Sequence, residues 1–420
     1  MPPGFQNTSD SEYLDDFRAL SQHGRTAGGG VDRQAGTSAD RAARAWLRDW
    51  LIGHGLVEAT DAIGNQFGLA ELMPGSSWIL LGSHLDSQPL AGRYDGAYGV
   101  LAAAHAVART AAACAGGAIR PSANLAVVNW FNEEGSRFAP SMMGSGVFTG
   151  KLALEAALDT ADVAGTRVAD VLPPPGEVRA PGARDVAAYG EIHIEQGRSL
   201  EASGTTIGLV NATWAARKYR ARVLGEQSHT GATLMRDRRD ALYGAALLIA
   251  AGRDLADEFA DAGLHSGVSE LYVLPNSPVT VAREVRMNLD LRCADATALD
   301  GAVASLERRV ATVEKRSQTS VELRLTHAWN LMPYQPEGVE LARRSAERLG
   351  ISHATTMTVA GHDSTNLKDL VPTVMLFVPS AGGVSHNEAE FTNDQDALAG
   401  LSLFTDIAAR LVAGELFPPA

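Results

Sequence analysis

The sequence predicts a two-domain α/β fold: a larger domain on a central mixed sheet, interrupted by a smaller α+β domain of ferredoxin-like pattern. Three observations predict it. The chain has 420 residues, more than a single hydrophobic core usually organises. Short apolar runs such as Trp78–Leu81 and Asn124–Trp130 alternate with helix-period segments, the pattern of α/β sheets. From about Asn211 the texture changes to a βαββαβ-like order, and it changes back near His327. The expected limits are therefore 1–210 and 327–420 for the larger domain and 211–326 for the insert.

Residues 1–10 read as a loose tail. A helix opens at Ser38, because Ala43, Trp46, Leu47, Trp50 and Leu51 recur at helical spacing. Asp61–Gly68 reads as a turn and strand leading into the strand Trp78–Leu81, which ends at Gly82. Tyr98–Cys114 is Ala-rich and helical, and Asn124–Trp130 is a second buried strand. Residues 160–188, with Pro173-Pro174-Pro175, read as a long loop. Tyr189–Gly197 alternates with period two, which sends Glu191, His193 and Glu195 to one face. In the insert, Trp214–Leu224, Leu271–Pro275, Glu284–Arg292 and Ser320–Thr326 read as strands. Arg239–Asp261 and Asp295–Lys315 read as amphipathic helices. The chain closes with a helix at Pro336–Leu349, a loop at Gly361–Ser364, a strand at Thr373–Val378 and a helix from about Asp394.

Composition narrows the function class. A formal net charge of -13 argues against a nucleic-acid partner, since phosphate binding needs a basic face. No run of eighteen apolar residues is present, so no membrane span is expected. The first ten residues lack the basic and apolar regions of a signal peptide. Cys114 and Cys293 are too few for a disulfide framework and lack zinc spacing. A reduced, cytoplasmic location is expected, with any metal held by histidines and carboxylates.

The chemistry concentrates in four segments. Gly82-Ser-His84-Leu-Asp86 follows the first buried strand and leads into a Gly-rich loop bearing Asp95. Side chains alternate along extended backbone, so Asp86 stands where a carboxylate orients a metal-binding imidazole. Asn132-Glu133-Glu134 ends the second strand, where α/β sheets place their sites. Adjacent carboxylates there divide into a metal ligand and a proton carrier. His193 and His386 complete a candidate ligand set of His84, Asp95, Glu134, His193 and His386. Imidazole and carboxylate ligands suit zinc, manganese, cobalt or nickel.

Gly-Ser-His-Leu-Asp with Gly-Arg-Tyr-Asp-Gly, Asn-Glu-Glu-Gly-Ser-Arg-Phe, His-Ile-Glu-Gln-Gly and Gly-Val-Ser-His together resemble the hydantoinase/carbamoylase family of amidases. That family lies within the dinuclear aminoacylase/carboxypeptidase superfamily. Arg25-Thr26 and Gly28-Gly29-Gly30-Val31 also look like its N-terminal signature. The resemblance implies two divalent ions, one on His84, Asp95 and His193, the other on Asp95, Glu134 and His386. It implies Glu133 as acid/base and Asp86 as the group orienting His84. Gln196, His229 and Arg292 match substrate-holding positions, with His229 reaching the partner's site in a homodimer and Arg292 pairing a substrate carboxylate. The insert would be the lid and dimerisation domain. Gly361-His362-Asp363 matches a family loop, although a structural His–Asp pair explains it equally well.

The implied activity is hydrolysis of the carbamoyl C–N bond of an N-carbamoyl-L-amino acid or related ureido acid. Allantoate and plain N-acyl amino acids or dipeptides are the alternative substrates. Val279 and Arg283 depart from the family pattern, where an Asn contacts substrate and a Gly forms a turn. An idle binding protein on the same fold is the rival class. Loss of Glu133 or of a ligand would favour it, and none is lost.

Overall fold

The structure is a computed structural model, and it describes residues 4–172, 176 and 178–416. Its strands, in chain order, are β1 (Val57–Thr60), β2 (Gln66–Ala70), β3 (Trp78–His84), β4 (Asn124–Trp130), β5 (Val186–Ile194), β6 (Ile207–Thr213), β7 (Ala215–Leu224), β8 (Ser228–His229), β9 (His265–Gly267), β10 (Leu271–Leu274), β11 (Thr280–Val281), β12 (Glu284–Cys293), β13 (Ser320–Trp329), β14 (Met332–Pro333), β15 (His353–Thr358) and β16 (Thr373–Val378). One compact unit takes the chain up to Asn211, Tyr334–Met357 and the part from Gly361 onward. The other takes Ala212–Pro333 and Thr358–Ala360.

The first unit is organised by a mixed sheet running β1-β2-β4-β3-β5-β16-β6, with β15 paired to β6. Its centre, β4-β3-β5-β16, is parallel. The flanking β2 and β6 are antiparallel to it. Every residue of β4 and β16 is buried, as expected for strands covered on both faces. The Ala-rich helix Ala97–Ala115 lies against β3. A Cβ at Gly99 would stand 2.2 Å from Ile192 O, so that approach requires glycine. Leu401, Phe404, Ile407 and Leu411 of the helix Asp394–Val412 are fully buried, each contributing about 1.5–3 kcal/mol by leaving water.

Residues 4–9 carry no helix or strand, in keeping with the expected tail, but Thr8 and Ser9 are tied down and a helix follows that the sequence reading passed over. Ser9 and Glu12 form a reciprocal cap, and the helix Asp10–Leu20 buries Tyr13, Phe17 and Leu20. Thr8 is buried in a closed hydrogen-bond chain. Arg109 Nε donates to Thr8 Oγ1 at 3.0 Å, and Thr8 Oγ1 lies 2.8 Å from His105 Nδ1. His105 Nε2 lies 3.1 Å from Asp16 Oδ2, which also accepts Trp50 Nε1 at 2.8 Å. A polar tail with two apolar positions per turn is a weak signal, and its partner is a histidine ninety residues away in the sequence.

Other boundaries also shift. β3 runs on to His84 instead of stopping at Gly82, because Gly82, Ser83 and His84 keep their ladder with β4. β6 and β15 are strands the sequence reading passed over. Glu195 lies past the end of β5 and accepts Ser199 N and Leu200 N, so it serves a helix start instead of the face of His193. Gly361–Ser364 leads into the short helix Asp363–Leu367. Within residues 160–188 there is a turn of helix at Val168–Val171, while Pro173-Pro174-Pro175 lies outside the described residues.

The second unit is an antiparallel sheet, β10-β12-β7-β13, with β9 on β12. Val223, Val285, Leu289 and Leu291 share a core with Leu248 and Leu306 of the helices Ala241–Glu258 and Ala296–Ser317. β8 and β11 form a separate ribbon that pairs His229 with Thr280. Among the described residues no helix is long and apolar enough to cross a membrane.

Candidate metal centre

Four of the five candidate ligands stand at or beyond the C-terminal ends of the parallel strands, where open α/β sheets place their sites. His84 closes β3, Glu134 follows β4, His193 lies near the end of β5 and His386 follows β16. Asp95 comes from the loop before the helix Ala97–Ala115 and stands between the histidines. Its Oδ1 is 3.5 Å from His84 Nε2 and 3.0 Å from His193 Nε2. Its Oδ2 is 3.4 Å from His386 Nε2, which is 3.6 Å from Glu134 Oε2. The ligand atoms thus fall into two groups that share Asp95: His84, Asp95 and His193, and Asp95, Glu134 and His386.

Local backbone chemistry makes this convergence possible. Gly96 has φ of 63° and its missing Cβ would stand 2.4 Å from the His84 ring, so only glycine lets the Asp95 loop pass there. Asn132, Gln196 and His386 hold φ of 53°, 57° and 53°. Such non-glycine conformations cost about 1–3 kcal/mol and cluster where function requires them.

The hydrogen bonds test whether the residues fit a metal ion. His84 Nδ1 lies 2.9 Å from Asp86 O, and His193 Nδ1 lies 2.9 Å from Ile194 O. A carbonyl only accepts, so both Nδ1 atoms carry hydrogen and both Nε2 atoms face Asp95 Oδ1, that of His193 also accepting Gly96 N at 3.0 Å. Positive charge at these nitrogens would offset the shared carboxylate, and the donor set of imidazoles and carboxylates suits a divalent metal. Burial alone would depress His84 and His193. Glu133 and Asp95 outweigh it at His84, and Asp95 does at His193, raising both rings. Burial would raise Asp95, but His193, His386 and His84 hold it well below the carboxylate range. Burial, with Asp95 close by, pushes Glu134 up to about 7.

Sequence comparison places this arrangement. The profile of peptidase family M20/M25/M40 matches residues 80–410. The chain belongs to peptidase family M20. A Mycolicibacterium smegmatis protein described as a hydrolase is 54% identical over 413 residues, covering 97% of this chain and 94% of that one. An N-carbamoyl-L-amino-acid amidohydrolase of Rhizobium meliloti is 34% identical over 402 residues, 95% of each chain. The crystal structure of a hydantoinase/carbamoylase family amidase from Burkholderia vietnamiensis superposes with a TM-score of 0.89 at 32% identity over 99% of each chain.

Other expected residues of this M20 chain are placed as follows. Glu133 is buried with Oε2 3.6 Å from His84 Nε2, and burial lifts its carboxyl well above the usual range. The Asp86 carboxylate is 3.7 Å from His84 Nδ1, beyond hydrogen-bond distance. It accepts Glu133 N at 3.1 Å and Glu134 N at 3.2 Å instead, so Asp86 steadies His84 through its carbonyl and the glutamate pair through its side chain. Gln196 Nε2 donates to Asp95 Oδ2 at 2.7 Å, within the first unit's cluster. His229 and Arg292 lie in the second unit. His229 is exposed, and its Nδ1 accepts Gly231 N at 3.0 Å and Ala232 N at 3.2 Å. The neutral ring therefore presents an Nε2–H donor. Arg292 Nε and Nη2 donate to Asp290 Oδ2 at 3.1 and 2.6 Å, and Nη1 donates to Val359 O at 3.0 Å.

Sequence reasoning missed the residues that hold the ligands. Glu390 Oε1 accepts Tyr94 N and Asp95 N at 2.9 and 3.0 Å. Ser385 Oγ is 3.2 Å from Asp95 Oδ2 and 3.1 Å from Glu390 Oε2. Buried Asp363 is held well above the carboxylate range by burial and by Glu191. The His362 ring lies 4.5 Å from that of His193. The only signal for Glu390 was its place four residues after a candidate ligand.

Proposed function

We propose that this M20 enzyme hydrolyses the carbamoyl C–N bond of an N-carbamoyl-L-amino acid or a related ureido acid, using two divalent ions. The observation that carries the reading is Asp95, one carboxylate shared by two ligand groups, with Glu133 beside them. His84, Asp95 and His193 would hold one ion, and Asp95, Glu134 and His386 the other. Bound there, the ions would supply Lewis acidity at the substrate carbonyl and lower the pKa of the attacking water. Glu133 takes the proton of that water and delivers it to the leaving nitrogen, releasing the amine, with carbon dioxide and ammonia from the carbamoyl group. A carboxylate left without a hydrogen bond suits a group that must receive and release a proton.

His229 acts as a donor to the developing oxyanion, a task that needs the Nε2–H tautomer fixed by Gly231 and Ala232. Gln196 and Arg292 bind substrate, Arg292 through its carboxylate, with Asp290 fixing the guanidinium's orientation. The protein works as a homodimer in which His229 serves the partner's site. Exposed Leu271 and Tyr272 on the edge strand β10 support an association surface in the second unit. Unpaired Cys114 and Cys293 support a reducing, cytoplasmic setting. Val279, with its exposed side chain and its carbonyl bonded to Thr230 N, puts an apolar group beside the His229 turn where the family has an amide. Allantoate and N-acyl amino acids are the alternative substrates.

The test is a panel of N-carbamoyl-L-amino acids, allantoate and N-acyl amino acids assayed with manganese, zinc, cobalt or nickel, alongside metal content. Ureido hydrolysis with two ions per chain is expected. Activity confined to N-acyl substrates, or one ion at full activity, overturns the reading. Mixing inactive Glu133→Gln and His229→Ala chains tests the shared site. Regained activity supports action across a dimer, and continued inactivity in proven mixed dimers refutes it.

A further inference from the structure

Two adjacent glutamates whose backbone N–H groups are both held by Asp86 are read above as doing different things, and adjacency alone gives no physical reason for which does which. We propose that Gln88 decides it, by fixing Glu134 as a preset metal ligand and leaving Glu133 unheld. The inference rests on the two-ion reading above.

Gln88 grips Glu134 from three directions. Its backbone N–H donates to Oε1 at 3.1 Å, its side-chain Nε2 donates to Oε2 at 2.9 Å, and the same Nε2 reaches the Glu134 carbonyl at 3.4 Å. Oε2 is the oxygen that faces His386 Nε2 at 3.6 Å. Both oxygens are thus oriented, and each keeps a lone pair for an ion. Among the described residues, no donor is hydrogen-bonded to the carboxylate of Glu133, whose nearest basic group is His84 Nε2 at 3.6 Å.

The type of residue matters as well as its place. An amide donates without bringing charge, so Glu134 keeps its full attraction for a divalent ion. A lysine there would neutralise it and a carboxylate would repel it. Presetting the rotamer removes part of the ordering that binding otherwise requires. Gln88 is also well placed to act with Asp86. Two residues apart in the segment leaving β3, Asp86 holds the backbone of the pair and Gln88 the side chain of its second member. Gln88 is a positioning residue, since it acts through Glu134.

The experiment titrates metal-free wild type, Gln88→Leu and Gln88→Glu with chelator-buffered Mn2+ and counts bound ions. Thermal unfolding of the metal-free forms checks that each variant folds, and Gln88→Glu, which keeps the shape, covers failure of the leucine variant. Wild type should take up two ions. In both variants affinity for one ion should fall by roughly 10–100-fold, as for partners of ligands elsewhere, with the other ion bound as in wild type. Saturating Mn2+ should restore turnover in Gln88→Leu. Two ions held at wild-type affinity by both variants, or an equal loss at both sites, overturns the role of Gln88 alone. A wild type that takes up a single ion overturns the two-ion reading and this inference with it.

Discussion

His105 and His193 are both buried histidines beside an aspartate, yet their hydrogen bonds run in opposite senses. Around His105 donors and acceptors alternate from Arg109 through Thr8 and the ring to Asp16, and Trp50 supplies a second donor to the same oxygen. Every step joins a donor to an acceptor, so the chain needs no added ion. Around His193 and His84 the ring hydrogens are spent on carbonyls, and both Nε2 atoms converge on Asp95, that of His193 also accepting Gly96 N. A divalent ion there would take both imidazoles and the shared carboxylate as ligands. Burial and the presence of a carboxylate do not distinguish a structural histidine from a candidate ligand; the convergence of several imidazoles on one shared carboxylate does.

The comparison breaks most visibly at Glu133. Glu133→Gln should lower turnover by roughly 100–10,000-fold while both ions stay bound, as measured by steady-state rate and metal content. His229→Ala comes next, with a loss of roughly 100–1,000-fold in turnover if its Nε2–H faces the oxyanion. Asp16→Ala should do the opposite of both. It strands the His105 and Trp50 donors and should cost about 1–3 kcal/mol in denaturant unfolding, with turnover of the folded enzyme kept.

The smallest effect is one of pH. Burial holds His105 below its ordinary value of 6.5, against the pull of Asp16. A histidine depressed in the folded state contributes its stability in full above 6.5, and loses it as pH falls through the folded value. Protection factors for amide exchange at Asp10–Leu20, corrected for the intrinsic rate at each pH, should therefore fall between pH 7 and 5, and His105→Leu should flatten that dependence. Unchanged protection factors in the wild type would show that the ring is not what docks the helix.

How much could be read beforehand follows the same division. His84, Asp95, Glu133, Glu134, His193 and His386 were legible because each is an ionisable residue in a polar or Gly-rich segment near a strand end. β4 and β16 were legible because strands buried on both faces read as unbroken apolar runs. Gln88, Ser385 and Glu390 were not legible, because their role lies in hydrogen bonds to residues distant in sequence, such as Glu390 to Asp95 N. The helix Asp10–Leu20 was missed for a similar reason, its docking partner being His105. Asp86 was read for the right neighbour but the wrong atom, since alternation along a strand locates a side chain without saying whether carbonyl or carboxylate makes the bond.

One bond in the first unit bears on how such a chain can be built at all. Tyr334 N donates to Asn211 O at 2.9 Å, so the ends of the longer of the two excursions from that unit are tied together. To the sheet that carries the ligands, everything from Ala212 to Pro333 is one long closed loop, and closure entropy grows only slowly with loop length. The two folding problems are therefore nearly separable. A brief turn joining 211 to 334 would leave the ladder of β16 with β6 and β5 intact, and a piece of different size could be spliced at the same seam without moving His84 or His386.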